Sequence, residues 1–141
     1  MPRPGAKPGL PPGAAKMVSG KGAPAMADQD AARAALAAAR ERTQSTLASL
    51  EREFGGIVDA ARDASTDDEH DPEGATLAFE RQHLAALAGA ARADLAEIEA
   101  ALARLDDGSY GICQVCGRPI SAQRLAARPA ARACVGCQPH R

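Results

Sequence analysis

Four cysteines are the residues of this chain best suited to chemistry. Cys113-Gln114-Val115-Cys116 is followed by 17 residues and then by Cys134-Val135-Gly136-Cys137. Two C-x-x-C pairs separated by about 15–20 residues are the pattern of a tetrahedral zinc site. Two intervening residues let one tight turn aim both sulfurs at a single ion. The second pair closes the tetrahedron and leaves no open position for substrate or water, so the site reads as structural. One Zn2+ held by Cys113, Cys116, Cys134 and Cys137 is the expectation. The rival readings are a pair of disulfides or a redox C-x-x-C. Both lack support in the sequence: it shows no secretory segment, no further cysteine and no βαβ pattern.

The second concentration of reactive side chains is acidic. Residues 64–74 hold Asp67, Asp68, Glu69, Asp71 and Glu73 and no lysine or arginine. A solvated loop explains such a run, and so does a surface that meets a partner. Asp71 before Pro72 also has a local role, since Asp at the cap and Pro at the first helical position start a helix. His70, His83 and His140 are scattered singly and read as exposed histidines. No Ser-His-Asp set, phosphate-binding glycine loop or pocket of paired carboxylates is visible, so the chain is not expected to be an enzyme.

The elements that must position these groups are helices. Of 141 residues only Phe54, Phe79 and Tyr110 are aromatic, and the 45% hydrophobic content is mostly alanine. Alanine favours helix but buries little area. Residues 1–27 carry Arg3, Lys7, Lys16 and Lys21, no acid, and many Pro and Gly, which predicts a disordered basic tail. Asp28 is placed as the cap of a first helix running to about residue 63. Its stripe is Arg33, Leu36, Arg40, Thr43, Leu47, Leu50, Phe54 and Ile57, with Gly55-Gly56 expected to bend or loosen it. A second helix follows Pro72 to about residue 106. Its stripe, Leu77, Arg81, Leu84, Ala88, Ala91, Leu95, Ile98, Leu102 and Leu105, steps by four and three.

Two helices of equal length joined by a short linker predict an antiparallel coiled-coil hairpin over 28–107. Its acidic tip is placed at 64–74, and a small C4 zinc-finger module at 108–141. The fold class is therefore mainly all-α. Gly108 is expected to end the second helix, and Ser121 to cap a short helix before Pro129. The module carries Arg118, Arg124, Arg128, Arg132 and Arg141 and no acid, so the net charge of −1 hides strong segregation. Charge so divided suits a protein that meets a partner through its ends. No apolar run reaches the roughly 18 residues of a membrane helix. A monomer in the cytoplasm, without membrane attachment, is expected.

The residues around the cysteines resemble a known family. Tyr110-Gly111, Cys113, Cys116, Gly117, Ile120, Arg124-Leu125, Ala127-Arg128-Pro129, Cys134 and Cys137 are similar to the pattern of the DksA/TraR family, and the likeness extends over about residues 28–138. The resemblance implies a bacterial transcription regulator that binds RNA polymerase rather than specific DNA. It implies that the hairpin enters the polymerase secondary channel, bringing the acidic tip (Asp67, Asp68, Glu69, Asp71, Glu73) towards the active site. It also implies altered promoter complexes, often together with guanosine tetraphosphate. Asp71 falls on the first aspartate of the family's Asp-Pro-x-Asp-x-Ala tip. The stretch here is one residue shorter, and Glu73 stands nearest the missing second aspartate. Arg128 matches one basic position implied to contact the nucleotide, while Glu97 and Gln138 occupy two others. Read without the resemblance, a zinc-ribbon nucleic-acid binder and a coiled-coil adaptor remain alternatives.

Overall fold

A computed structural model of the chain describes residues 26–64 and 72–138. Helix α1 is Met26–Ala64 and helix α2 is Pro72–Asp107, of 39 and 36 residues. At 1.5 Å per residue they are about 58 and about 54 Å long. The basic tail up to residue 25, and Asp67, Asp68, Glu69 and Asp71, lie outside the described residues. Met26 and Ala27, placed in the disordered tail from sequence, belong to α1.

Two local expectations change. Helix α1 begins before Asp28, which sits in the first turn rather than at the cap. There its carboxylate faces the positive end of the helix dipole. Gly55 and Gly56 do not interrupt α1. Each glycine costs about 1 kcal/mol of helix propensity, but the side chains around them are held. Leu50, Phe54 and Ile57 are half-buried, and the Arg81 guanidinium of α2 lies 5.9 Å from the Phe54 ring centre. Pro72 is the first residue of α2, where its missing N–H leaves no bond unmade.

The helices run antiparallel. Arg33 meets Asp106 at 2.7 Å, Arg40 meets Glu99 at 3.5 Å and Glu51 meets Arg92 at 2.7 Å, so each step up one helix is a step down the other. These pairs are exposed, and each is worth about 0–1 kcal/mol. They mark the register more than they stabilise it. Burial lies between the stripes, at Leu84, Ala88, Ala91 and Ile98 of α2 facing α1. The many alanines let the two backbones approach closely.

The largest buried cluster is not midway along the hairpin. It sits at the foot, where Leu36 of α1 meets Ile98, Ala101 and Leu105 of α2 and Tyr110 of the following segment. Leu125 and Ala130 of the C-terminal module pack on the same cluster. Leu36 and Ala101 are both 0% exposed. None of the described helices is long and apolar enough to cross a membrane.

Leu36→Ala is expected to remove about 2–5 kcal/mol of stability, because the rigid foot cannot collapse around the cavity. Urea unfolding followed by helical circular dichroism checks this. A midpoint unchanged from the parent would show that the foot is not the core.

Candidate metal centre

Each cysteine is aimed by its own short backbone device. Helix α2 ends at Asp107, and Gly108 adopts φ 81°, a left-handed conformation that an L side chain resists. The Ser109 and Tyr110 amides then donate to the Arg104 carbonyl at 2.9 and 3.0 Å, closing the helix and reversing the chain. The first knuckle is a tight hairpin with a single bridge between Ile112 and Pro119. The Cys113 amide donates to the Arg118 carbonyl at 2.8 Å, and the Gly117 amide to the Cys113 carbonyl at 2.9 Å. Gly117, at φ 69°, makes the turn that follows Cys116.

The chain then crosses to helix α3, Ala122–Ala127. Ser121 caps it by accepting from the Arg124 amide at 3.3 Å, and Arg128 follows its last residue. The second knuckle is a 3-10 turn, Val135–Cys137, closed by the Cys137 and Gln138 amides on the Cys134 carbonyl, both at 3.1 Å.

These turns bring the four sulfurs within 4.8 Å of one another, with Cys116 and Cys134 Sγ 3.8 Å apart. A tetrahedron with Zn–S bonds of about 2.3 Å requires edges of about 3.8 Å. All four cysteines are free, which removes the disulfide reading. The electrostatics fit a cation. Backbone N–H groups of Cys116 and then Cys134 draw the buried Cys113 thiol down to about 6, and the Cys134 amide lies 3.4 Å from its sulfur. Cys116 is lowered by the backbone N–H and then the side chain of Arg118. Cys137 is pushed up to about 12, chiefly by its hydrogen bonds to Cys134 and then Cys116. Four sulfurs this close cannot all ionise alone; Zn2+ lets them, leaving a site of net charge −2 that Arg118 partly offsets. The donor set, spacing and charge fit one structural zinc ion with no open position.

Arg104 carries a role that the sequence reading missed. It is buried near the end of α2, and its guanidinium donates to the Ala130 carbonyl at 3.3 Å. Desolvation lowers its pKa, while nearby Tyr110 and Asp107 oppose that shift. The Tyr110 hydroxyl donates to the Pro129 carbonyl at 2.8 Å. The two bonds pin the segment after α3 to the hairpin. Ala101 and Leu105 beside it on the helix are buried too, but the carbonyl it reaches lies 26 residues further along the chain. Arg128 lies on the outside of the junction, with its guanidinium 3.8 Å from the Glu97 carboxylate. Glu73 falls in the first turn of α2, at the opposite end of the hairpin from the cysteines.

An antiparallel helical hairpin seated on a C4 zinc module is the class of protein that this fold and site define. Comparison with known proteins gives the same answer. Residues 108–139 match the prokaryotic dksA/traR C4-type zinc finger. The RNA polymerase-binding transcription factor DksA of Haemophilus influenzae is 45% identical over 42 residues, covering 30% of this chain and 29% of that protein. DksA of Caulobacter vibrioides is 48% identical over 44 residues, 31% of each. The match thus spans under a third of these curated relatives. A likeness to the solved transcription factor DksA2 of Pseudomonas aeruginosa is far wider. It covers 79% of this chain and 80% of that one at 31% identity, with a TM-score of 0.58. The chain belongs to the DksA/TraR family.

Stripping the metal with a chelator is expected to release one zinc per chain and to unfold residues 108–138. Hydrogen exchange should show the Cys113 and Ile120 amides losing protection while the middle of the hairpin keeps it. Cys134→Ser should reproduce the effect. Retained protection at both amides would contradict a structural role.

Proposed function

We propose that this chain binds RNA polymerase and tunes transcription initiation by inserting the acidic end of its hairpin into the secondary channel. One observation carries the reading. Helix α1 ends at Ala64 and α2 starts at Pro72, so residues 65–71, four of them acidic, join the helix ends remote from the zinc module. A rod about 50 Å long delivers carboxylates through a pore that excludes a globular domain. Carboxylates act where magnesium and nucleotide phosphates are handled. The relatives named as RNA polymerase-binding transcription factors support the same partner. In this reading Asp67, Asp68, Glu69, Asp71 and Glu73 act at the tip, and the chain performs no catalysis of its own.

Two arginines of the module have partners within the chain, which weakens the nucleic-acid reading. Arg124 donates to the Ala133 carbonyl at 2.8 Å and to the Gln138 side chain, and Arg128 faces Glu97. Arg128 is the position that the resemblance matches to a guanosine tetraphosphate contact. A nucleotide phosphate there would have to displace Glu97, an exposed partner at 3.8 Å worth about 0–1 kcal/mol.

Core RNA polymerase is expected to retain the protein in a pull-down and to release it to a Gre-type cleavage factor. In transcription assays Asp71→Asn should bind with similar affinity yet lose most of the effect on initiation, with or without guanosine tetraphosphate. Binding insensitive to the cleavage factor would sink the channel reading. Identical behaviour of Asp71→Asn on every promoter would remove the tip from the mechanism.

A further inference from the structure

Both long helices are weakened at one level. Away from its first turn, each holds glycine in one place: Gly55-Gly56 in α1 and Gly89 in α2. The Glu51–Arg92 pair sets the register there. Three residues outward from that pair along each helix lie Phe54 and Gly89, with Gly55 and Gly56 following at once. The glycines of the two helices therefore fall within about one turn of each other along the hairpin. A cleft of about 200 Å³ opens at the same level, with Leu50 and Phe54 on one side and Ala88 and Arg92 on the other.

Nothing in the packing asks for glycine at these positions. A Cβ added at Gly55, Gly56 or Gly89 meets no atom within 4 Å, and none of them has the positive φ of Gly108, Gly111 and Gly117. Alanine, the commonest residue of both helices, would fit. Glycine in its place disfavours the helix roughly 5-fold per site, because its backbone loses more freedom on folding. Both helices run through this level without a break, so the resting rod is intact. What the glycines lower is its resistance to bending. The rest of the hairpin divides here too. The pairs Arg33–Asp106, Arg40–Glu99 and Arg92–Glu51 all lie on the side of the foot. So do Leu36, Ala91, Ile98 and the layer around them. Further out than Ala88, Leu84 is the one buried side chain among the described residues of the two helices.

We propose that Gly55, Gly56 and Gly89 form a joint at which the outer part of the hairpin bends as a unit relative to the foot. The shared level carries the inference. A soft place in one helix alone would be splinted by the other, whereas soft places side by side let the pair yield together. From Gly89 to Pro72 is about 26 Å of helix. A bend of about 20° at the joint therefore shifts the end of α2 by about 9 Å. The foot keeps the aim set by its join to the zinc module, and the outer part alone is re-aimed. The inference concerns the chain by itself and stands or falls apart from the function proposed above.

The test uses the full-length, zinc-loaded protein. Residue-resolved hydrogen exchange of wild type should show a protection minimum at the joint, with amides 57–60 and 90–93 at least about 10-fold less protected than amides 81–84 farther out. Residual dipolar couplings from the foot and from the outer part should need separate alignment tensors. Gly55→Ala/Gly56→Ala/Gly89→Ala should erase the minimum and bring both parts under one tensor. Gly89→Ala alone should raise protection at 57–60 of α1 as well, because a stiffened helix splints its neighbour. All these substitutions favour helix, so zinc content and helical circular dichroism should at least match wild type. Wild-type protection that falls smoothly from the foot outwards, or one tensor that fits both parts of wild type, overturns the joint. So does a Gly89→Ala gain confined to α2, which would make the glycines separate losses of helix propensity.

Discussion

Leu36 and Ala101 meet inside one buried cluster at the foot of the hairpin, and the rest of the molecule depends on that cluster. It draws on every part of the described chain: α1 through Leu36, α2 through Ile98, Ala101 and Leu105, and the zinc module through Tyr110, Leu125 and Ala130. Hydrophobic burial of about 25 cal/mol per Å² acts only where apolar area is available, and an alanine-rich rod has little elsewhere. The foot is also where the polar bonds concentrate. Arg104 reaches Ala130 and Tyr110 reaches Pro129 across the same junction. Metal, aromatic ring and aliphatic layer thus stabilise one place together.

Beyond the foot the hairpin is held differently. Small side chains let the helices lie close, and cross-helix pairs such as Arg33 with Asp106 and Arg92 with Glu51 fix which turn faces which. Such pairs contribute little stability, but a slip by one turn would leave each arginine opposite the wrong partner. A long hairpin with a thin core needs that specificity, because alanine faces alone tolerate several registers. Arg33 and Arg40 occupy stripe positions that leucine would fill in an ordinary coiled coil.

How much of this could be read in the sequence follows from which signals are local. The zinc ligands were legible because C-x-x-C spacing encodes the turn geometry directly, and the structure gathers those four sulfurs. The two helices were legible because their stripes run for many turns. The Gly108 stop and the Ser121 cap were legible from single residues whose backbone roles are specific. Other features depend on distant partners and were not legible. Gly55-Gly56 reads as a place where the helix bends or loosens, yet α1 is continuous through it. Nothing local in the sequence singles out Arg104, which is buried where the returning segment at Ala130 meets it. Arg128 is matched by resemblance to a nucleotide contact, and its pairing with Glu97 of α2 shows only in the structure. The acidic residues between Ala64 and Pro72 are named by sequence alone.

The join between α2 and the zinc module has a mechanical consequence. Gly108 and Ser109 are all that separates the last helical residue from the buried Tyr110, and the Ser109 and Tyr110 amides are both bonded back to Arg104. There is no hinge in that passage. A rotation of one degree at the module would swing the far end of a rod about 54 Å long by about 1 Å. The aim of the hairpin is therefore fixed by the tightness of a turn two residues long, and a looser join would blur it far more at the distant end than at the metal.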